Sequence, residues 1–175
     1  MCAALKNTYA LAVGLAEGVR ATRGGSDRPD RMHNYEAALF AQGAAEMRQI
    51  VALLGGNPDT AGWLPGIGDL YVTSIGGRNV RLGRLLGAGA SYEQASERLG
   101  HPTLEGAAAI RVIGQALSER ARHGTVNPEA FPLLRHLYEI IALDRPVEIP
   151  WGAFFGGQPG RHQTTAHAPD MRDRA

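Results

Sequence analysis

The sequence has little of several features, and each scarcity excludes a class of protein. Its 175 residues include a single cysteine, Cys2, so no disulfide can form within the chain, which is typical of a reducing compartment. No apolar run reaches the roughly 20 residues that a membrane-spanning helix needs, and the first residues lack the basic segment of a secretory signal peptide. We therefore predict a cytoplasmic protein without membrane insertion.

The sequence also has almost no excess of charge of either sign. The chain has 18 Lys and Arg residues against 17 Asp and Glu residues, a net charge of +1, so we predict no nucleic-acid partner. Hydrophobic residues make up 44% and charged residues 20%, which is typical of a folded globular chain. This length and composition predict one domain, which we assign to residues 1–155.

Lysine is the scarcest of the charged residue types. Lys6 is the only lysine in the sequence, and every other basic residue is arginine. An ammonium group can release its proton in a protein, whereas a guanidinium group does not, so Lys6 is a candidate general acid and base. The alternative is an ordinary solvated charge near the start of the chain, and the position of Lys6 alone favours this alternative.

Apolar residues, by contrast, recur at intervals of three and four along most of the chain, which predicts helices. The first predicted helix has an apolar face of Leu5, Tyr9, Ala12, Leu15 and Val19. Others are predicted from about residue 34, with a face that includes Leu54, from about 103 to 122, and within the stretch NPEAFPLLRHLYEIIAL, residues 127–143. Because no long stretch alternates with a period of two, we predict an all-α fold with two or three long buried helices.

Stretches without this spacing separate the predicted helices. The segment RGGSDRPDR predicts a polar loop, and Ser91 with Gln94 has the spacing of a capping box that begins a short helix. Residues 156–175 show no apolar pattern and are predicted to be a disordered tail. Trp63 and Trp151 are predicted to pack rather than to stack on a cofactor.

Three polar features interrupt the apolar pattern: Lys6-Asn7, the segment GIGDLYVTSIGGRN, and PTLEG. In the second, two glycines precede Arg78-Asn79 at a predicted helix start, where backbone N–H groups and a guanidinium can bind an anion. A turn with a surface charge is the alternative. Asp69 follows a glycine-rich turn and is expected to be a helix N-cap, to pair with Lys6, or to bind a substrate hydroxyl.

Together these segments resemble a known family. The stretches LKNTYALAVGLAEGV, ALLGGNPDT, PGIGDLYVTSIGGRNVRLGRLLGAG and LEGAAAI, in this order, are similar to the C-terminal substrate domain of NAD(P)-dependent glycerol-3-phosphate dehydrogenases. The similarity extends from about Cys2 to Ile149 and implies a helical fold of the 6-phosphogluconate dehydrogenase C-terminal type. It also implies the reaction, which interconverts dihydroxyacetone phosphate and sn-glycerol 3-phosphate with NAD or NADP as the cofactor.

The resemblance implies a role for each candidate residue. Lys6 matches the catalytic lysine, which protonates the ketone oxygen and acts as the base in the reverse direction. The matching substrate-binding residues are Lys6, Asn7, Asp69, Thr73, Gly77, Arg78 and Asn79. The matching cofactor-binding residues are Arg78, Thr103 and Glu105. The six histidines show no metal-binding spacing, and we predict no metal site.

The resemblance also implies a partner. Members of the family have a Rossmann domain before the lysine, and no G-x-G-x-x-G motif after a predicted strand occurs in the 175 residues. We therefore expect this chain to need a separate nucleotide-binding domain for turnover, with a homodimer as another possible assembly. Two alternatives are an inactive helical module that dimerises or binds a phosphorylated metabolite, and a 6-phosphogluconate-dehydrogenase-like domain that acts on another small acid.

Overall fold

The fold is built from helices alone within the part of the chain that the structure describes. The computed structural model describes residues 1–23 and 33–155, and these contain no strand, which confirms the all-α prediction. The helices are α1 (Cys2–Arg23), α2 (His33–Leu53), α3 (Pro58–Ala61), α4 (Asp69–Ile75), α5 (Arg78–Gly87), α6 (Tyr92–Arg98), α7 (Glu105–Arg122), α8 (Pro132–Leu143) and α9 (Trp151–Phe155). A π-helical turn, Leu64–Gly68, precedes α4. The predicted disordered tail and nearly all of the predicted polar loop lie outside the described residues.

Helix α1 is the centre of the domain. Its predicted apolar face is confirmed for Leu5, Tyr9, Ala12 and Leu15, which are completely buried. The helix is buried on all sides from residue 8 to residue 16, because α2, α4, α5, α7 and α8 all pack against it. An all-round apolar sequence is what such a central helix requires.

Glycines let α1 and α5 approach each other at backbone distance. A Cβ atom at Gly83 would overlap the carbonyl oxygen of Leu11, and one at Gly87 would overlap the carbonyl oxygen of Leu15. Each step of one turn along α5 therefore matches a step of one turn along α1 in the same direction. The two helices are parallel, so their N-terminal ends, with Lys6 on one and Arg78 on the other, lie at the same end of the domain.

A buried carboxylate caps α8 from another helix. Glu46 of α2 is completely buried, and its oxygens accept hydrogen bonds from the backbone N–H groups of Leu133 and Leu134, at 2.7 and 2.9 Å. Tyr9 and Gln42 donate to the same carboxylate, at 3.1 and 2.9 Å. Burial raises the pKa of Glu46, while these four hydrogen bonds to its oxygens act in the opposite direction. Pro132 begins α8, where its missing N–H costs little.

Some details of the sequence prediction are wrong. The sequence predicts Leu54 on the buried face of the second helix, but α2 ends at Leu53 and Leu54 is half exposed. Trp63 does not pack: it precedes the π-helical turn, and 74% of the residue is exposed. Trp151 does pack, against Tyr35 and Phe154. The capping box at Ser91 is confirmed.

The described residues contain no helix that is both long enough and apolar enough to cross a membrane.

The glycine contact between α1 and α5 predicts a stability change. Gly83→Ala should lower the free energy of unfolding by about 1–3 kcal/mol, because the added methyl group must push two backbones apart. Thermal unfolding would report this as a lower Tm. Gly152→Ala is the matched control, since a Cβ atom there meets nothing within 4 Å. An unchanged Tm for Gly83→Ala would contradict the close packing of α5 against α1.

A buried histidine predicts how stability depends on pH. His136 of α8 is buried, its Nε2 has no hydrogen-bond partner among the described residues, and its Nδ1 lies 3.9 Å from Glu139. Burial lowers the pKa of His136 to about 4; the charge of Arg135 lowers it further, and that of Glu148 opposes the shift. The unfolded chain therefore takes up a proton at a higher pH than the folded chain does, so stability falls as the pH decreases between these two pKa values.

His136→Leu should remove this dependence. Between about pH 7 and about pH 4.5, the unsubstituted chain should lose about 2 kcal/mol more unfolding free energy than the variant loses. Urea titrations at both pH values measure the difference. Equal losses in the two proteins would show that His136 does not titrate differently in the folded state.

Candidate active site

The N-terminal ends of several helices bring the predicted site residues together. Lys6 and Asn7 lie near the start of α1, Asp69 begins α4, and Arg78 begins α5, while Glu105 begins α7. Hydrogen bonds and ion pairs connect the start of α1 with that of α4, and the start of α5 with that of α7. Because a helix N-terminus carries a partial positive charge and unpaired N–H groups, this end of the domain favours an anionic ligand.

Lys6 is held in an ion pair with Asp69. The Lys6 Nζ donates to Asp69 Oδ2 at 2.5 Å, and the two side chains are 22% and 40% exposed. The predicted pairing of these two residues is therefore present in the structure. Asp69 is the first residue of α4 rather than its N-cap, which is Gly68. Both partners remain partly open to solvent, so a ligand can reach the ammonium group.

Thr73 lies one turn after Asp69 on α4. Its hydroxyl donates to the backbone carbonyl oxygen of Asp69 at 2.7 Å, and the side chain is partly buried. This bond leaves the lone pairs of the Thr73 oxygen free, so the hydroxyl can still accept a hydrogen bond from a ligand. Thr73 therefore has a structural contact within its own helix beside the Lys6–Asp69 pair.

The start of α5 has the geometry of an anion-binding site. Gly77 precedes the helix at φ +118°, a conformation that favours glycine, and it has no side chain with which to cap the helix. Among the described residues, no side chain from elsewhere accepts a hydrogen bond from the first N–H groups of α5. Arg78, half exposed, begins the helix and places a guanidinium group at the same end.

Asn79, the second residue of α5, is buried and joins α5 to α7. Its Oδ1 accepts a hydrogen bond from the backbone N–H of Gly106 at 3.2 Å. A Cβ atom at Gly106 would lie 2.6 Å from the carbonyl oxygen of Asn7 and 2.7 Å from Asn79 Oδ1. Three of the sequence motifs therefore meet at one glycine.

A second contact joins α7 to α5, between the residues that precede Gly106 and Asn79. Glu105 Oε1 accepts a hydrogen bond from the Arg78 guanidinium at 3.0 Å, and about half of each side chain is exposed. Thr103 lies before α7, which begins at Glu105 rather than at Thr103 as predicted. The Thr103 residue is exposed, and its side chain makes no hydrogen bond within the described part of the chain. The structure therefore connects Arg78 with Glu105 but not with Thr103.

Gly106 is a site residue that the sequence prediction omitted. The E-G pair marked the motif, but only Glu105 was assigned a role, because a glycine has no functional group to suggest one. Its contribution is its N–H and the space left by its missing side chain, and neither can be recognised before the packing of α7 on α1 and α5 is known.

Comparisons with known proteins identify the family. The family profile described as "NAD-dependent glycerol-3-phosphate dehydrogenase C-terminus" matches residues 1–150. This chain belongs to that family. The resemblance predicted from its motifs is confirmed.

Curated relatives of this C-terminal domain family share about a third of their residues with the chain. Glycerol-3-phosphate dehydrogenase [NAD(P)+] of Chlamydia pneumoniae is 34% identical over 149 residues, which cover 83% of this chain and 40% of the relative. The Moorella thermoacetica protein of the same name is 36% identical over 146 residues, 82% of this chain and 38% of the relative. The chain thus spans about two fifths of the length of these relatives.

Solved structures show the same fold. Glycerol-3-phosphate dehydrogenase from Coxiella burnetii superimposes with a TM-score of 0.64 at 28% identity, covering 87% of this chain and 41% of that chain. The Saccharomyces cerevisiae enzyme superimposes with a TM-score of 0.63 at 28% identity, covering 83% of this chain and 38% of that chain. The predicted helical fold of the family is therefore confirmed.

Proposed function

We propose that this chain is the substrate domain of a glycerol-3-phosphate dehydrogenase that interconverts dihydroxyacetone phosphate and sn-glycerol 3-phosphate. One observation carries the proposal: the only lysine of the chain is paired with Asp69 at the end of the domain where α5 presents Arg78 and an uncapped helix start. The chain would thereby offer a proton donor for the carbonyl and an anion site for the phosphate.

Lys6 is the proposed general acid. When the carbonyl carbon is reduced, negative charge develops on its oxygen, and the Lys6 ammonium can donate a proton to that oxygen. In the reverse direction the neutral amine accepts the proton of the hydroxyl. Asp69 holds the ammonium by the 2.5 Å ion pair and is the proposed partner of a substrate hydroxyl, with the oxygen of Thr73 as a second acceptor.

The start of α5 is the proposed phosphate site. The N–H groups that follow Gly77, which have no side-chain partner among the described residues, and the Arg78 guanidinium are donors. A phosphate dianion offers only acceptors. Asn79 would add its amide NH₂ group, and Asn7 lies beside it across Gly106. Phosphate binding at α5 would orient the substrate so that its carbonyl points toward the neighbouring Lys6.

The residues at this end of the domain also fit a nicotinamide dinucleotide, NAD or NADP. Arg78 can pair with a phosphate of the dinucleotide, and its partner Glu105 is half exposed. Thr103, which is exposed just before α7, has a hydroxyl that can hydrogen-bond to hydroxyl or amide groups. When bound, the dinucleotide supplies the hydride for the carbonyl carbon. These three residues are the part of the cofactor site that we assign to this chain.

We further propose that a nucleotide-binding domain covers the face around Asp69. Leu64, Pro65 and Val72 border an open groove of about 270 Å³ that reaches Asp69. Leu64 and Val72 belong to a set of large apolar residues between positions 63 and 75 that are 61–79% exposed, namely Trp63, Leu64, Tyr71, Val72 and Ile75. Such a surface is typical of an interface. A homodimer could use the same face, but a covering domain that brings the cofactor must meet the Lys6–Asp69 pair, which favours the nucleotide-binding domain.

The proposed reaction also suggests a cellular role. Dihydroxyacetone phosphate belongs to carbohydrate metabolism, and sn-glycerol 3-phosphate is the backbone of phospholipids, so we propose that the reaction serves phospholipid biosynthesis. The single cysteine supports a cytoplasmic location for this activity.

A fusion protein tests the function. The chain would be joined to the N-terminal part of the Moorella thermoacetica relative, and oxidation of NADH and NADPH would be followed with dihydroxyacetone phosphate. We expect turnover, and Lys6→Arg should lower kcat by at least about 100-fold, because a guanidinium keeps the charge but cannot give up its proton. Arg81→Lys is the control, since it makes the reciprocal exchange at an exposed position of α5.

The outcomes separate the alternatives. Unchanged turnover in Lys6→Arg would remove Lys6 from the mechanism. A fusion that binds sn-glycerol 3-phosphate without any turnover would favour the inactive phosphometabolite-binding module instead.

A further inference from the structure

Gly106 is joined to the proposed phosphate site through Asn79. Asn79 is 6% exposed and is the second residue of α5, next to Arg78. Its side-chain amide has two ends, a carbonyl oxygen that accepts hydrogen bonds and an NH₂ group that donates them. If the NH₂ group points toward a phosphate, Asn79 attracts it, whereas the carbonyl oxygen would repel it.

The contact with Gly106 determines this orientation. The backbone N–H of Gly106 is a donor and lies in the first turn of α7, where no backbone carbonyl is available to it. Only an acceptor can pair with it, so the Asn79 oxygen faces α7 at 3.2 Å. The Asn79 nitrogen donates no hydrogen bond to any of the described residues.

Only glycine fits at position 106. A Cβ atom would lie 2.7 Å from Asn79 Oδ1 and 2.6 Å from the backbone oxygen of Asn7. Any side chain would therefore push α7 away from both α1 and α5 and break the hydrogen bond. Glu105, the residue before, holds Arg78 at 3.0 Å, so two consecutive residues of α7 hold two consecutive residues of α5.

We propose that Gly106 is a positioning residue for phosphate recognition: its N–H turns the Asn79 amide so that the NH₂ group faces the ligand. The proposal rests on the proposed function, because it requires a phosphate at the start of α5. With this orientation, Asn79, Arg78 and the first N–H groups of α5 all present donors. A phosphate dianion, which only accepts, is thereby distinguished from a neutral hydroxyl group, which also needs an acceptor.

Two measurements on the ¹⁵N-labelled chain test this role. The first follows amide hydrogen exchange at Gly106 without ligand. Asn79→Ala should accelerate this exchange by at least about tenfold, because it removes the acceptor that this N–H has within the described part of the chain. Arg81→Ala, also on α5, is the control and should leave the rate unchanged.

The second measurement follows the binding of sn-glycerol 3-phosphate and inorganic phosphate by NMR titration. Gly106→Ala should weaken both ligands by at least about tenfold, the effect of losing one hydrogen bond to a charged group. Gly114→Ala is the matched control on the same helix, where a Cβ atom also meets a close neighbour, the ring of Tyr138. Asn79→Asp should abolish binding while Gly106 stays protected from exchange, since it keeps the acceptor and replaces the donor.

The results distinguish the two levels of the proposal. If the unsubstituted chain binds the ligands and Gly106→Ala binds them equally well, the positioning role is wrong while the phosphate site stands. If the unsubstituted chain binds neither ligand, the phosphate site itself is wrong, and the role of Gly106 falls with it.

Discussion

The parallel contact between α1 and α5 determines the arrangement of the whole domain. Because Gly83 and Gly87 let the two backbones touch, α1 lies against α5 over several turns in the same direction. Their N-terminal ends are therefore side by side, and the first turn of α7 packs against both at Gly106. Lys6, Arg78 and Glu105 come from distant parts of the sequence, and this packing brings their helix ends together. The candidate site is a consequence of how the core is packed.

Helix capping explains why we propose the anion site at α5 and not at α7 or α8. Neither α7 nor α8 has a capping side chain of its own, since Leu104 and Phe131 precede them. Each is capped from another helix, α7 by Asn79 and α8 by the buried carboxylate of Glu46. Helix α5 begins after a glycine and receives no such cap within the described residues. Its N–H groups are thus available to a ligand, and Arg78 adds a full charge to them.

Local patterns in the sequence predicted the helices and the polar segments of the site, but not the contacts between them. The spacing of Leu5, Tyr9 and Leu15 was sufficient to predict α1, because the residues on one buried face of a helix recur every three or four positions in the sequence. The side-chain cap of α8 by Glu46 could not be predicted, since it joins residues that are 87 and 88 positions apart. The exposure of Trp63 was not predicted, because apolar character by itself predicts burial and does not tell which apolar side chains the fold leaves in solvent. The role of Gly106 required the packing of three helices.

The central claim is that a phosphorylated substrate binds where the starts of α1, α5 and α7 meet. A crystal structure of the chain with sn-glycerol 3-phosphate tests it most directly. We expect phosphate oxygens at about 3 Å from the Arg78 guanidinium and the first N–H groups of α5, with the glycerol hydroxyls toward Lys6 and Asp69. A phosphate bound at other arginines, with the start of α5 and Lys6 both without contact to the ligand, would contradict the account.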